Sequence, residues 1–514
     1  MISRISEDFR SRLERRPWTV ALFLVFVVLA IYSPVAMREY GFMDDYSLLN
    51  DALTAPRVIF DFCVAGGRPI YGAILEGTVG LCRNIADLRF LRLAGILSLG
   101  AASAALFLML RHMDWPTDIA WLTALLVAFT PSAQIGAFWS IMWPTSSSIV
   151  LVVSAFLTVD RMGKEWPRRK WRALSLLGGG ITLLLLAGLN YQPYLFFYAV
   201  CLLAGLLRER HPKTQIRWAA MHLVVFAFSC VAVLISFKII QHVLGIEPLS
   251  RTALTNDPMG KLQWFFSGPL LDALAVYLIR HPASQVTWPP IVLVTFLILT
   301  GLLCACRRRG LIGGTLCTAA VLGLLPLAYG ANLIVKENGH PYRTLFAVVS
   351  FVVVASVWAL WEFRRTFRLI PRAVITGVLI GACLYGGVSA MLNGLFLFAK
   401  PQALELRKMR KLFKANPLRQ GDAVFLLRPG WEDTIAPFVA NDEFGLPSTS
   451  QFWSAEGMFW CVFREFHSEV SDPRAAVTFR SSQEKRDHVP GEIIFDMKKE
   501  LRKIRRNQED DGFG

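Results

Sequence analysis

Apolar residues in this chain come mainly in long runs, not in the strict alternation of a half-buried strand or the narrow stripe of a surface helix. A membrane-spanning helix needs about 20 predominantly apolar residues. Eleven stretches approach that length: 18–37, 93–110, 119–133, 140–160, 173–190, 194–207, 218–241, 288–306, 310–335, 344–363 and 373–399. The run 71–82, YGAILEGTVGLC, is shorter and carries Glu76, so it reads as an interfacial or re-entrant segment. Beyond 399 the pattern changes. KPQALELRKMRKLFKANPLRQGD is basic and polar, with Leu404, Met409 and Leu412 at helical spacing. AVFLLR (423–428), AAVTF (475–479) and EIIF (492–495) read as short strands. The predicted fold is mainly α: a polytopic transmembrane helical bundle of about eleven spans over 18–399, then a small extramembrane α+β domain over 400–514.

Composition narrows the class. Of 514 residues, 54% are hydrophobic and only 18% charged, and the mean hydropathy is +0.45. That is too apolar for a soluble enzyme. Basic residues precede the first apolar run and no small-residue cleavage site follows it, so it is expected to be a retained anchor. The net charge of +16 would suit a nucleic-acid binder, but the basic residues cluster between apolar runs, so membrane topology explains them and no nucleic-acid partner is expected. With a cytoplasmic basic N-terminus over 1–17, alternate connections hold 23 Lys/Arg in 59 residues, against 11 in 118 on the other side. This positive-inside asymmetry places the long loops 38–92 and 242–287 outside, and an odd number of spans then puts the C-terminal domain, itself basic, on the same side. The nine cysteines form no CxxC pair, and six lie in apolar runs. No Walker motif, GxGxxG–helix or HExxH occurs.

Candidate chemistry gathers in the outside segments. EYGFMDDYSLLNDAL (39–53) puts Asp44 and Asp45 where the first span emerges. Capping the helix that follows is one use for an acid there. Capping does not need two, and adjacent carboxylates at a partly desolvated surface suggest a ligand, a cation or a proton to handle. GGRPIY (66–71) presents Arg68 either as an anchor, snorkelling or paired with Asp61, or as a phosphate fork. FWSIMWPTSSS (138–148) offers Trp139 as an interface aromatic or as a stacking surface for a sugar ring. LNYQPYLFFY (189–198) sets Tyr191 and Gln192 in a tight polar turn suited to hydroxyl-rich ligands. KENGHPYRTLF (336–346) concentrates His340 and Arg343 at the mouth of a span, where an arginine meets lipid phosphate.

Taken together, a first span, DDY at the start of a long outer loop, GRP before a short apolar segment, and YQ between later spans resemble the GT-C class of membrane glycosyltransferases. Within it the chain looks most like the serotype-converting glucosyltransferases of bacterial O-antigen, over about residues 15–400. The resemblance implies Asp44 and Asp45 as catalytic, Arg68 as the basic group of the loop, and Tyr191 and Gln192 as the polar turn. It also implies a bacterial inner-membrane location, a polyprenyl-phosphate sugar donor and a surface-glycan acceptor. A divalent cation at the two acids stays open. His340, Arg343 and Trp139 join the expected substrate-binding set on their chemistry alone. The 115-residue C-terminal extension is less typical of the family, so acceptor identity does not carry over. Two other readings stand beside this one. A lipid-linked-glycan transporter is disfavoured by the absence of internal repeats. A polysaccharide polymerase or ligase would use the loop 242–287, with Arg251 and Asp257 in LSRTALTND.

Overall fold

The computed structural model describes residues 17–166, 168–208, 211–280, 288–441, 443–470 and 473–510. The expected basic N-terminus therefore falls, apart from Pro17, outside the described residues, as does 281–287 of the second long loop. Among the described residues eight helices are long and apolar enough to cross a membrane: Pro17–Ala36, Ile85–His112, Ser140–Glu165, Lys170–Asn190, Pro212–Leu244, Trp288–Leu327, Phe346–Thr366 and Arg372–Ala415. The pair Thr117–Ala128 and Pro131–Phe138, bent by 63°, makes a ninth if counted as one span.

Two features reconcile this number with eleven apolar stretches. Trp288–Leu327 contains Gly310 at φ 73°, ψ 175°, a left-handed break that glycine tolerates without strain. A Cβ on Gly314 would lie 2.5 Å from Cys306 Cα. Residues eight apart are about 12 Å apart along one straight helix, so the chain doubles back here as a helical hairpin. The stretch 194–207 is the shorter helix Gln192–Leu206.

The helices divide into a buried centre and a lipid-facing rim. Phe346–Thr366 is the central helix, with 14 of its 21 residues buried. On Pro212–Leu244, by contrast, Val224, Phe228, Val231, Ile235 and Ile239 form an exposed stripe at helical spacing. An apolar surface of that extent is stable only against lipid or another apolar partner.

Contacts between connections sort the molecule into two ends. At one, Arg208 pairs with Asp114, Arg372 with Asp118, His112 with Asp160 and Arg309 with Glu362. At the other lie the Asp44 loop, the 66–71 turn and residues 336–345. Pro69–Val79 is an eleven-residue helix, too short to span.

The last span runs through a π-helical turn, Gly394–Ala399, into the helix Lys400–Ala415. Three parallel strands follow: β1 (Ala423–Leu427), β2 (Thr478–Ser482) and β3 (Ile493–Asp496), in the order β2-β1-β3. Central β1 is the apolar AVFLL, as a strand paired on both edges requires. The helix Phe452–Phe466 lies on the helix Asp44–Thr54 with Gly457 at the closest point, where a Cβ would sit 2.5 Å from the Ser47 backbone nitrogen. The C-terminal segment thus shares one hydrophobic core with the bundle.

Candidate active site

The two acids stand at the first and second positions of the helix Asp44–Thr54, preceded by Met43 at φ 48°, ψ −116°. A non-glycine residue in that region is strained and needs outside support. The C-terminal segment supplies it. Ser448 Oγ accepts from Met43 N at 2.9 Å, and Ser454 Oγ donates to Met43 O at 3.0 Å. Ser448 is held in turn by Gln402 and by buried Glu405, which accepts from the Ser448 and Thr449 amides.

The side chains of the pair diverge. Asp45 is fully buried. Its oxygens accept from Phe42 N at 2.9 Å and from Ile141 N at 3.0 Å. Burial pushes its carboxyl up to about 6, against the opposing pull of the nearby Arg92 guanidinium. Arg92, also fully buried, donates to the carbonyls of Ala36, Arg38 and Tyr40 and to Ser140 Oγ. It caps the first span and turns the chain into the loop. Asp44 is partly exposed and accepts from Trp453 Nε1 at 2.7 Å. Burial raises its carboxyl above the ordinary value, while Trp453, Arg343 and Arg251 pull the other way. Neither carboxylate is bonded to the amides of its own helix, so simple capping does not describe this pair.

Three arginines converge near Asp44. Arg68 lies with its guanidinium 4.8 Å from the centre of the Tyr191 ring. Its Nε is buried with no partner among the described residues. The 66–71 turn is fixed from three sides. Gln192 Nε2 donates to Gly67 O, Gln241 Nε2 donates to Val64 O and Ala65 O, and Leu249 N donates to Ala65 O. Gly67 has φ +76°, which lets the chain reverse there. Arg251 arrives on the same segment as Leu249; burial, then Arg68, lowers its guanidinium from the ordinary value. Arg343 lies over Trp139 at 5.3 Å and pairs with Glu443 of the C-terminal segment at 2.8 Å. Trp139 Nε1 is likewise buried without a partner among the described residues. Guanidiniums this close repel one another unless an anion sits between them. The arrangement offers a proton acceptor beside a cradle for a phosphate-like group.

Asp44, Arg68, Tyr191, Arg343 and Trp139 are thus brought together. Gln192 serves the Gly67 carbonyl, which positions Arg68. His340 turns onto buried Asp272 at 3.4 Å, beside Arg280. Asp61 pairs with Arg57 rather than with Arg68. Trp453, Glu443, Ser448 and Ser454 carry no mark in the sequence, because nothing local identifies a residue hundreds of positions away as a neighbour. A divalent cation does not fit this donor set. Each Asp45 oxygen already accepts from a buried amide, and Asp44 stands among three arginines. Among the described residues no three His, Cys, Asp or Glu side chains converge.

Fold and site together define a polytopic membrane protein carrying an acid-and-arginine site at one end of its bundle. No family model matches the chain, and no curated protein matches it. Among solved structures it is similar to the apo oligosaccharyltransferase of Archaeoglobus fulgidus, at 13% identity over 78% of this chain and 58% of that one, with a TM-score of 0.43. This chain therefore spans under two thirds of the length of that enzyme. It is also similar to ArnT from Cupriavidus metallidurans bound to undecaprenyl phosphate, at 11% identity over 90% of each chain, with a TM-score of 0.45.

Proposed function

We propose that this protein is an integral membrane glycosyltransferase of the bacterial inner membrane. It moves a sugar, glucose on the family resemblance, from a polyprenyl-phosphate donor to a surface glycan such as O-antigen on the outer face. The observation that carries the reading is the meeting of one partly exposed carboxylate, Asp44, with three arginines at the mouth of an apolar bundle. Asp44 takes the proton of the acceptor hydroxyl as its oxygen bonds to the anomeric carbon. The bond from that carbon to the phosphate oxygen breaks, and the electron pair leaves with the lipid phosphate. Arg68, Arg251 and Arg343 hold that departing charge. Asp45 acts as a positioning residue that fixes the loop.

The test is transfer from polyprenyl-phosphate glucose to lipopolysaccharide by the purified full chain. Asp44→Asn keeps an acceptor for Trp453 but cannot take a proton, so transfer should fall by about 10²–10⁴-fold in protein of unchanged thermal stability. Wild-type transfer by this variant would end the reading of Asp44 as the base. A wild-type protein that binds donor yet transfers nothing to any hydroxyl acceptor would end the transferase reading.

A further inference from the structure

A second cationic site lies at the opposite end of the bundle. Arg307, Arg308, Arg364, Arg365, Thr366 and Arg368 line a cavity of about 610 Å³, within the size range of ligand sites. Two elements build it. Arg307 and Arg308 lie at the hairpin break before Gly310, and the other four residues end Phe346–Thr366 or follow it. That helix begins just after Arg343 and is 21 residues long, so about 30 Å separates the cavity from the Asp44 site.

Five guanidiniums share this one cavity. The carboxylate beside them is Glu362, fully buried and divided between Arg308 at 2.7 Å and Arg309 at 3.1 Å. Arg307 lies over Phe367 at 6.0 Å and Arg364 over Trp361 at 4.9 Å. Such ring contacts orient a guanidinium without cancelling its charge. The Nε of Arg364 is buried with no partner among the described residues. Apolar side chains flank these arginines along both elements: Leu303, Leu311, Ile312, Phe367 and Leu369 are exposed, Leu369 by 97%. A cationic cavity whose two elements also present exposed apolar side chains matches an amphiphile with a phosphate head and hydrocarbon tails. A soluble anion would need only the first half.

We infer that this cavity binds the phosphate headgroup of an anionic membrane phospholipid, with its acyl chains along the exposed leucines. The inference does not depend on the reaction assigned to the Asp44 site. It predicts selective retention of lipid at this end. The test uses the full chain in phosphatidylcholine vesicles with and without phosphatidylglycerol, followed by native mass spectrometry of the extracted protein. A parallel arm gives inorganic phosphate alone in phosphatidylcholine vesicles and reads thermal stability. Phosphatidylglycerol should remain bound to the wild type, and retention should fall about tenfold or more in Arg364→Gln/Arg368→Gln, because two basic side chains drawn to an anionic headgroup are together worth at least that factor. Arg368 is exposed, so Arg368→Gln alone should fold normally and show a smaller drop. Equal retention by wild type and both variants would overturn the site. Equal protection by inorganic phosphate would assign the cavity to a free anion and overturn the lipid.

Discussion

At the residue scale, the sequence DDY hides a division of labour that the hydrogen bonds of the two acids make visible. Asp45 accepts from two buried amides and faces Arg92. In Asp45→Asn a single oxygen replaces two acceptors, so a buried N–H loses its partner. Destabilisation of about 1–3 kcal/mol should follow, read as a lowered melting temperature, where Asp44→Asn leaves it unchanged. The sign of the pH effect is also set. Because the Asp45 carboxyl is raised to about 6 in the folded protein, its contribution is fully present below the ordinary carboxylate value and is lost as pH rises through 6. Wild-type stability, compared with Asp45→Asn, should decline between about pH 4 and 6. A difference that is flat across that window would show that the carboxyl is not raised. The arginines make a second residue-level case. Arg68→Lys and Arg343→Lys keep charge but lose the planar fork. Transfer should drop clearly in each if they hold the lipid phosphate, and normal donor binding and turnover in both would reduce them to anchors. An acid pair, GRP and YQ were legible as candidates in these short motifs. Which acid faces the site was not, because the amide of Ile141 that claims Asp45 lies 96 residues away.

At the scale of elements, apolar run length located the membrane helices, since about 20 residues of hydrocarbon thickness leave little freedom. It did not reveal the hairpin at Gly310 or the shortness of 192–206, which depend on single backbone angles and on burial inside the bundle. The larger gap concerns the C-terminal helix Phe452–Phe466. The segment around it was readable as an α+β unit, yet its packing on the Asp44–Thr54 helix rests on Gly457, which carries no sequence signature. That contact is testable. Gly457→Ala would place a methyl 2.5 Å from the Ser47 nitrogen and 2.7 Å from its Cα, forcing the two helices apart. Overpacking of this kind costs about 1–3 kcal/mol. It would also draw Ser454 and Trp453 away from Met43 and Asp44, so transfer should fall together with stability. A Gly457→Ala protein with full activity would show that the C-terminal helix is dispensable to the site.

At the scale of the molecule, the charge asymmetry and the tertiary contacts are independent and can be set against each other. The connections counted as basic, 111–118, 208–217, 307–309 and 364–372, meet at one end through Arg208–Asp114, Arg372–Asp118 and the Arg309 bond to Leu207 O. Segments from 38–92, 242–280 and 336–343 meet at the other, where Gln192 holds Gly67, Leu249 joins Ala65 and Arg343 joins Glu443. The last of these ties the C-terminal segment to the Asp44 end, although that segment is itself basic; long domains largely escape the positive-inside bias. We propose that the arginine-rich end is cytoplasmic. A reporter fused after Arg172 or Arg217 should then be cytoplasmic, and one after Glu337 or at the C-terminus should be periplasmic. The two outside fusions are coupled by the structure, since residues 336–345 and the C-terminal segment share one face. If both reported cytoplasm while the first two reported periplasm, the orientation would be reversed and donor sugar would be met on the inner leaflet. If only the C-terminal fusion reported cytoplasm, the Arg343–Glu443 pair and the Trp453–Asp44 bond could not form in the membrane, and Asp44 would have to work without the segment that braces Met43.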